Sequence, residues 1–421
     1  MNTKRSVSFA LILSLIIAAM LPSLSSCNTQ STGSGGTTTL YVYNWGEYIS
    51  DGSEDTVDVN AEFEKWYFDT YGEKVKVNYS TYSSNESMYA KISSGASNYD
   101  IVIPSDYMIE RLIKEDLIAP LDYKNIPNAN YILPDFRDSA YDPDKNGDGY
   151  NDYSVPYMYG MIGIIYNTTM VDKEDIGSWE LMWNEKYAGN ILQFNNSRDA
   201  FGTAQYYLKK DVNSDNEQDW VDALNKLKEQ KPILQGYVMD EIYNKMENGS
   251  AAIAAYYAGD FMAMYENNED LEFFYPEEGT NLYVDAMCIP KSSQNKLIAE
   301  RYINFMLSVD EEYGAPAIAN AEYTYYASPN KMVVENEDYI EYMNSIKDGG
   351  YDTMYGTDGI FTSSYKNLSG EKLLLLNNLW EELKSDVTVS GGIYVLCGVI
   401  VATLVGFGVF FAVRKKKRNI Y

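Results

Sequence analysis

The chain has 421 residues, and its 61 acidic residues outnumber its 33 basic ones, which gives a formal net charge of −28. A chain this acidic argues against binding to nucleic acid and favours the attraction of small cations. It contains no histidine, which removes the commonest general base and the usual transition-metal ligand and argues against a hydrolase or a zinc site, although enzymes that use only carboxylates stay open.

The N-terminus has the features of a bacterial export signal. Lys4 and Arg5 precede an apolar run from about residue 7 to residue 21, and Leu-Ser-Ser-Cys then ends at Cys27. This order resembles a lipobox, so we predict a signal peptide over residues 1–26 and a lipid on the Cys27 thiol. An ordinary signal peptide that happens to contain a cysteine is the alternative. Residues 27–39 read as a flexible polar linker.

The C-terminus predicts a membrane anchor. Residues 393–413 carry no charge and are long enough to cross a bilayer as one helix. The basic tail over residues 414–421 follows, and positive charge beside a span favours the cytoplasmic side. We therefore expect the protein at the cell membrane, lipid-anchored at the N-terminus and spanning once at the C-terminus, with the region between them on the extracytoplasmic face.

Strands and helices alternate between these two ends. Short apolar runs predict strands over residues 40–43, 75–79, 99–104, 160–166, 190–194, 251–256 and 283–289. Helical spacing predicts helices over residues 59–71, 84–93, 108–115, 199–209, 218–230, 241–247, 296–307, 338–347 and 368–384, with residues 373–376 buried. This alternation is typical of βαβ units, so we expect an α/β fold with a mostly parallel sheet.

A turn rich in aspartate, asparagine and glycine suggests a calcium loop. Side-chain or backbone oxygens stand at positions 1, 3, 5, 7 and 9 of such a loop, in Asp144, Asn146, Asp148, Tyr150 and Asp152. Position 12 is Val155, so the usual bidentate carboxylate is missing, and an acidic surface turn is the alternative. We expect no required cofactor and keep structural calcium as a hypothesis.

Aromatic and acidic side chains recur at the predicted strand ends. These groups are Trp45, Glu47 and Tyr48; Tyr107; Tyr256 and Tyr257 near Asp260; Tyr283 and Asp285; and Tyr325 and Tyr326. Open α/β sheets bind their ligands at the carboxyl ends of strands. A polyamine needs carboxylates for its ammonium ends and flat apolar walls for its methylene chain, so the pattern favours this ligand. Taken singly, each group is more often structural.

The chain resembles the spermidine/putrescine-binding proteins of bacterial ABC importers over residues 39–384. The resemblance rests on stretches such as Leu40-Tyr-Val-Tyr-Asn-Trp-Gly-Glu-Tyr48, Tyr99-Asp-Ile-Val-Ile-Pro-Ser-Asp-Tyr107 and Tyr283-Val-Asp285. It implies a two-lobed type II solute-binding fold that closes on its ligand. Lobe 1 would include about residues 40–155 and 285–330, and lobe 2 about residues 156–284 and 331–386.

The resemblance also implies a set of ligand-binding residues: Trp45, Glu47, Tyr48, Ser105, Tyr107, Asn196, Asp199, Tyr257, Tyr283, Asp285 and Tyr326. Asp199 and Asp285 would hold ammonium groups. Asn196 stands where the family often has an aspartate, and the family's late glutamine has no clear counterpart. Together these two departures favour a less charged ligand such as putrescine. An ABC permease and an ATPase are the implied partners, and no catalytic role is implied.

Two alternatives stay open from the residues alone. One is a related binding protein for thiamine, ferric iron or an aminophosphonate. The other is a membrane-tethered carbohydrate-binding protein or enzyme, since aromatic and acidic side chains also suit sugars.

Overall fold

The computed structural model of the protein describes residues 36–95, 98–356 and 359–385. Within them, the strands are β1 Thr38–Trp45, β2 Val75–Tyr82, β3 Ile101–Val102, β4 Ser154–Asn167, β5 Ile191–Phe194, β6 Leu234–Val238, β7 Ile253–Tyr257, β8 Leu271–Phe274, β9 Thr280–Cys288 and β10 Thr362–Ser363. The helices are α1 Val59–Tyr71, α2 Asn85–Ser93, α3 Asp106–Lys114, α4 Ser197–Tyr207, α5 Glu217–Gln230, α6 Ile242–Glu247, α7 Ala258–Asn267, α8 Lys296–Met306, α9 Pro316–Thr324, α10 Lys331–Val334, α11 Glu337–Ile346, α12 Gly350–Tyr355 and α13 Gly370–Ser385.

Helix α1 begins and ends where the sequence predicts. The Asp58 side chain accepts a hydrogen bond from the Ala61 amide at 2.9 Å and so caps the first turn. Phe63 and Tyr67 are one turn apart and buried. Gly72 ends the helix with φ of 71°, a left-handed conformation that glycine adopts without a steric penalty.

The sheet is mixed, so the expectation of a mostly parallel sheet is wrong. Its strand order is β2-β1-β3-β9-β4-β7-β5-β6, with β8 beside β4 and β10 beside β9. The β1–β3, β5–β6, β5–β7 and β9–β10 pairs are parallel. The β3–β9, β4–β7, β4–β8 and β4–β9 pairs are antiparallel. The apolar runs predicted that strands exist, but an apolar run does not encode the direction of its neighbour.

Strands β4 and β9 connect the two parallel parts of this sheet. The first half of β4, up to Met161, pairs with β9, and its second half pairs with β7 and β8. Almost every residue of β4 is buried, which explains why the strand reads as one apolar run. The observed strand begins six residues before the predicted strand over residues 160–166 and so includes Pro156 and Tyr157, which the prediction left outside. The division into two lobes stays a prediction.

Two further expectations need correction. The predicted strand over residues 99–104 is only Ile101–Val102, and Pro104 beyond it has no amide hydrogen to donate to a ladder. Residues 373–376 are not uniformly buried, because Leu374 is 61% exposed whereas Leu376 is 2% exposed. An α-helix has 3.6 residues per turn, so consecutive leucines point to different sides of it. The buried residues of this helix are Leu376, Leu379 and Leu383.

Candidate binding site

One cavity collects the aromatic and acidic side chains that the sequence singled out, except Tyr325, which packs against Tyr342 instead. It contains about 880 Å³ of space that no atom occupies, counting the part that opens to solvent. All eleven predicted ligand-binding residues line it: Trp45, Glu47, Tyr48, Ser105, Tyr107, Asn196, Asp199, Tyr257, Tyr283, Asp285 and Tyr326. The end of β1, the first turns of α3 and α4, and strands β7 and β9 supply most of them.

The end of β1 forms an aromatic wall. The Trp45 indole nitrogen donates to the Ile103 carbonyl at 2.9 Å, and its ring centre lies 4.6 Å from that of Tyr82. Glu47 follows with φ of 47°, a left-handed conformation that few non-glycine residues adopt. Its side chain is exposed. The turn therefore places an accessible carboxylate between Trp45 and the buried Tyr48.

Asp285 is a buried carboxylate held by two hydroxyl donors. The Tyr48 hydroxyl donates to its Oδ2 at 2.8 Å, and the Ser105 hydroxyl donates to its Oδ1 at 2.6 Å. Burial raises the pKa of Asp285 to about 6, against the opposing effect of these hydrogen bonds. The side chain can therefore present negative charge to a cation at neutral pH without ion pairing to the protein.

Asp199 is a second buried carboxylate, in the first turn of α4. The Tyr257 hydroxyl donates to its Oδ2 at 2.7 Å, and the Asn196 amide nitrogen donates to the same oxygen at 2.7 Å. Asn196 also caps α4, since its Oδ1 accepts the Asp199 backbone amide at 2.8 Å. Burial raises the pKa of Asp199. Asn196 thus orients the aspartate and contributes no charge of its own.

Asp260 is a third buried carboxylate in the cavity wall, and the predicted set of ligand-binding residues omitted it. The Tyr243 hydroxyl donates to its Oδ1 at 2.5 Å, and the Tyr326 hydroxyl donates to its Oδ2. Burial raises the pKa of Asp260 to about 6. Its position near Tyr257 in the sequence was a usable signal, because the pair has the same aromatic and acidic character as the predicted groups.

Glu86 adds a half-buried carboxylate from the first turn of α2. The Tyr107 hydroxyl donates to its Oε1 at 3.0 Å, and the Asn85 amide donates to that hydroxyl at 3.1 Å. Asn85 also donates to the Ser105 hydroxyl at 3.1 Å. One amide therefore ties the Glu86 side of the cavity to the Asp285 side.

Arg198 is the single basic residue among the described residues that line the cavity. Its guanidinium donates to the Val212 carbonyl at 2.9 Å and to the Asn213 amide oxygen at 2.8 Å. It also lies 4.4 Å from the Tyr365 ring centre, and burial lowers its pKa. These hydrogen bonds fix the segment around Val212 and Asn213. Arg198 forms no salt bridge with a carboxylate of the described lining.

A series of tyrosine rings runs along the cavity between the carboxylates. The Tyr257 and Tyr283 ring centres are 5.3 Å apart, and those of Tyr283 and Tyr326 are 6.4 Å apart. Tyr326 in turn lies edge-on to Tyr48 at 4.9 Å. Edge-to-face contacts at these distances are favourable, and they leave apolar ring surface along one continuous wall.

Glycines make room for two of these rings. A Cβ on Gly259 would lie 2.4 Å from the Tyr326 ring, and a Cβ on Gly160 would lie 2.5 Å from the Tyr283 hydroxyl. Both distances are shorter than any real carbon contact, so a larger residue at either position would displace a ring of the wall.

The prediction missed about half of the lining. The additional residues are Gly46, Tyr82, Ser83, Ser84, Asn85, Glu86, Arg198, Met239, Asp240, Tyr256, Asp260 and Asn281. Several of them stand beside predicted residues in the sequence, which was a usable signal. Met239 and Asp240 follow β6 and had no local signal, because only the fold brings that strand end to the cavity.

In the predicted calcium loop, amide groups of the loop itself donate hydrogen bonds to the aspartate side chains. Asp144 accepts hydrogen bonds from the backbone of Gly147 and Gly149 at 2.6 and 2.7 Å, and Asp152 accepts the Asn146 amide at 2.7 Å. No group of three or more acidic, cysteine or histidine side chains is positioned to hold a metal ion in the part of the chain that the structure describes. The described residues therefore give no support for a preformed metal site at this loop, and calcium stays a prediction.

The predicted membrane segments lie outside the described residues. These are the signal peptide with Cys27 and the apolar run over residues 393–413. Among residues 36–95, 98–356 and 359–385, no helix has the length and apolar character that crossing a bilayer requires.

The chemistry of the cavity suits an organic cation. Its lining has six carboxylates, in Glu47, Glu86, Asp199, Asp240, Asp260 and Asp285. A ligand with separated positive groups can offset these charges, and its apolar part can pack against the tyrosine rings.

Three comparisons with known proteins bear on this site. Residues 59–346 match the family described as bacterial extracellular solute-binding protein. The spermidine/putrescine-binding periplasmic protein of Escherichia coli (strain K12) is 31% identical over 273 residues, which cover 65% of this chain and 73% of that protein.

Two solved structures share the fold over most of their length. A structure from Listeria monocytogenes that is assigned to a spermidine/putrescine ABC transporter has a TM-score of 0.70 and 34% identity, over 83% of this chain and 99% of that chain. The spermidine/putrescine ABC transporter substrate-binding protein PotD from Streptococcus pneumoniae, in complex with calcium and HEPES, has a TM-score of 0.64 and 32% identity, over 82% of this chain and 98% of that chain.

Proposed function

The chain belongs to the bacterial extracellular solute-binding protein family, and from this premise we propose that it captures polyamines outside the cytoplasm and delivers them to an ABC importer. Members of this family bind solutes and are not enzymes, as we predicted. The two structural matches likewise confirm an α/β fold of the periplasmic binding protein kind.

One observation carries the choice of ligand. Among the described residues, six carboxylates line the cavity together with a single basic residue, Arg198, which donates to neighbouring backbone and amide oxygens instead. Such an excess of negative charge next to apolar ring surface is costly unless a cation offsets it. Putrescine and spermidine have ammonium groups joined by methylene chains, which match both features.

The roles of the predicted residues follow from their contacts. Asp285 and Asp199 would each receive an ammonium group, because both are buried and already hold hydroxyl donors in place. Tyr257, Tyr283 and Tyr326 would pack against the methylene chain. Binding would select a closed arrangement of the two predicted lobes, which then docks on the permease while a separate ATPase drives transport.

The two ends of the chain would keep this domain beside its transporter. A lipid on Cys27 and a single span over residues 393–413 are the proposed anchors, supported by the Leu-Ser-Ser-Cys order and by the uncharged run before the basic tail. Metabolic labelling with a radioactive fatty acid tests the first anchor, and Cys27→Ser should abolish the label.

Calorimetry on the full chain in detergent tests the ligand. Putrescine and spermidine should each bind with micromolar or tighter affinity, whereas thiamine, ferric citrate, an aminophosphonate and simple sugars should give no heat. If neither polyamine binds or raises the melting temperature, the proposed function is wrong. Heat with thiamine or a sugar alone would favour the corresponding alternative.

Structural calcium at residues 144–152 is tested separately. If the loop binds the ion, calcium will raise the melting temperature of the unmodified chain and not that of an Asp144→Asn variant. Equal melting temperatures with calcium and with a chelator would remove the hypothesis.

A further inference from the structure

Two carboxylates approach the same part of the cavity from different helices. Glu86 lies in the first turn of α2, and Asp199 lies in the first turn of α4. Both line the cavity, and the Tyr107 side chain adjoins Glu86 through its hydroxyl. The negative charge of Asp199 is one of the causes that raise the pKa of Glu86, after burial. The Tyr107 ring also contacts the Tyr365 ring, with centres 6.3 Å apart, so both carboxylates belong to one part of the same lining and repel each other when both are ionised.

No salt bridge to either carboxylate is present among the described residues, although the charge of Arg198 lowers the pKa of both against the larger effect of burial. The Tyr107 hydroxyl donates to Glu86 Oε1 and so supplies a hydrogen bond without positive charge. Asn196, the neighbour of Asp199, contributes an amide rather than a charge. Arg198 follows Asn196 closely in the chain, and its two terminal nitrogens donate to Val212, Asn213 and Lys366.

A second, independent feature of the wall also needs a donor. Asn281 in β9 is 2% exposed and lines the cavity, and its amide oxygen has no hydrogen-bond partner in the described structure. A buried acceptor without a partner is destabilising, so it is retained most readily where a ligand supplies the missing donor. An ammonium group has three such donors.

We propose that Glu86 is a ligand-binding residue that holds one ammonium group of the polyamine together with Asp199. This inference rests on the proposed polyamine function and deepens it. Glu86 supplies from α2 the negative charge that Asn196 does not supply from α4. One ammonium group between the two carboxylates would remove their repulsion and would connect two helices that are far apart in the sequence. The loss of charge at Asn196 then gives no reason to prefer putrescine.

The test compares matched substitutions in the full chain in detergent. Glu86→Gln keeps the size of the side chain and removes its charge. Glu174→Gln makes the same change at an exposed residue outside the cavity and serves as the control. We expect Glu86→Gln to weaken putrescine binding by about 10-fold or more, because a hydrogen bond to a charged group is lost, and Glu174→Gln to change it less than about twofold. Melting temperatures of both variants check that each is folded.

The same substitution in a Tyr107→Phe chain distinguishes direct contact of Glu86 with the ligand from an effect through the Tyr107 hydroxyl. If Glu86 acts only by orienting the Tyr107 hydroxyl, then Glu86→Gln will have no effect in a chain that already carries Tyr107→Phe. We expect the loss of about 10-fold or more to persist in that background. An effect that disappears with the hydroxyl, or equal affinities for Glu86→Gln and Glu174→Gln, would overturn the inference while leaving polyamine binding intact. Absence of binding by the unmodified chain would overturn both proposals.

Discussion

At the scale of single residues, Asp285 is a buried carboxylate that has no counter-ion among the described residues. The carboxylate is buried, and the Tyr48 and Ser105 hydroxyls supply hydrogen bonds but no positive charge. Burial of an ionised group without a counter-ion costs free energy that hydroxyl donors only partly offset. The same arrangement that destabilises the free protein therefore favours the binding of a cation.

Replacing Asp285 by asparagine separates these two effects. We expect Asp285→Asn to weaken putrescine binding by about 10-fold or more, equivalent to about 1.5–3 kcal/mol for a charge-assisted hydrogen bond, and to leave the melting temperature equal or higher at neutral pH. Calorimetry and thermal unfolding measure the two quantities. Asp135→Asn, at an exposed position outside the cavity, is the matched control. A lower melting temperature with unchanged affinity would mean that Asp285 is structural.

The pKa values of the buried carboxylates predict two opposite pH effects. The pKa of Asp285 and that of Asp260 are raised by burial to about 6, from an ordinary value of 3.8. The folded state therefore binds more protons than the unfolded state between these values. For these groups, the free energy of unfolding of the free protein should fall as pH rises from about 4 to about 6. Thermal unfolding across that range measures it.

Affinity should change in the other direction, because an ammonium group binds the ionised carboxylate. Putrescine binding should be about 10-fold or more weaker near pH 5 than near pH 7.5, and protons should be released on binding at the lower pH. Calorimetry in buffers of different ionisation enthalpy measures both. Equal affinities at the two pH values would contradict the assignment of Asp285 and Asp260, which face only Tyr48, Ser105, Tyr243 and Tyr326 through hydrogen bonds.

At the scale of elements, helix starts and strand ends place the functional side chains. Ser105 is the residue before α3, Asn196 is the residue before α4, and Asp285 lies near the end of β9. Helix caps have a fixed backbone geometry, so side chains there are held more firmly than on a loop. Helix α7 also packs closely against the Tyr326 ring, since Gly259 leaves no room for a methyl group.

Substitution of that glycine tests the role of the packing. In Gly259→Ala, the new methyl group would lie 2.4 Å from the Tyr326 ring, and the ring must move away from Asp260 and Tyr48. We expect a loss of about 1–3 kcal/mol in the free energy of unfolding and weaker putrescine binding. Denaturant unfolding and calorimetry measure these. Gly236→Ala, which meets no atom within 4 Å, is the control, and equal behaviour of the two variants would contradict the prediction.

At the scale of the whole molecule, the excess of acidic residues should speed ligand capture. The formal net charge is −28, and the exposed carboxylates of Glu47 and Asp240 lie in the cavity lining. A field of one sign accelerates the approach of an oppositely charged ligand, and salt screens it. The association rate constant for putrescine should fall by about 10-fold between low and high ionic strength, with a smaller change in the dissociation rate constant.

Stopped-flow tyrosine and tryptophan fluorescence across a salt series measures these rates. Trp45 and several tyrosines line the cavity, so their emission should report binding directly. Sodium chloride and tetramethylammonium chloride at equal ionic strength distinguish screening from competition by a specific ion. An association rate constant that does not change with salt would show that the net charge serves solubility alone.

Features that depend on neighbouring residues could be predicted from the amino-acid sequence alone. The helical spacing of Phe63 and Tyr67, four residues apart, and Gly72 after them predicted α1, because periodicity and caps are local properties. The aromatic and acidic groups at strand ends, together with the family resemblance, identified eleven residues that all line one cavity. Local chemistry was sufficient there, since each group combines an aromatic face with a carboxylate.

Features that depend on residues distant in the sequence could be read only from the folded chain. The antiparallel β4–β9 pair and the inclusion of Met239 and Asp240 in the cavity arise from contacts that local spacing does not encode. The same is true of Glu86, whose hydroxyl donor is Tyr107, and of Arg198, whose hydrogen bonds go to Val212 and Asn213. The physical reason is that desolvation and pairing are set by all the atoms around a group, and most of those atoms come from elsewhere in the chain.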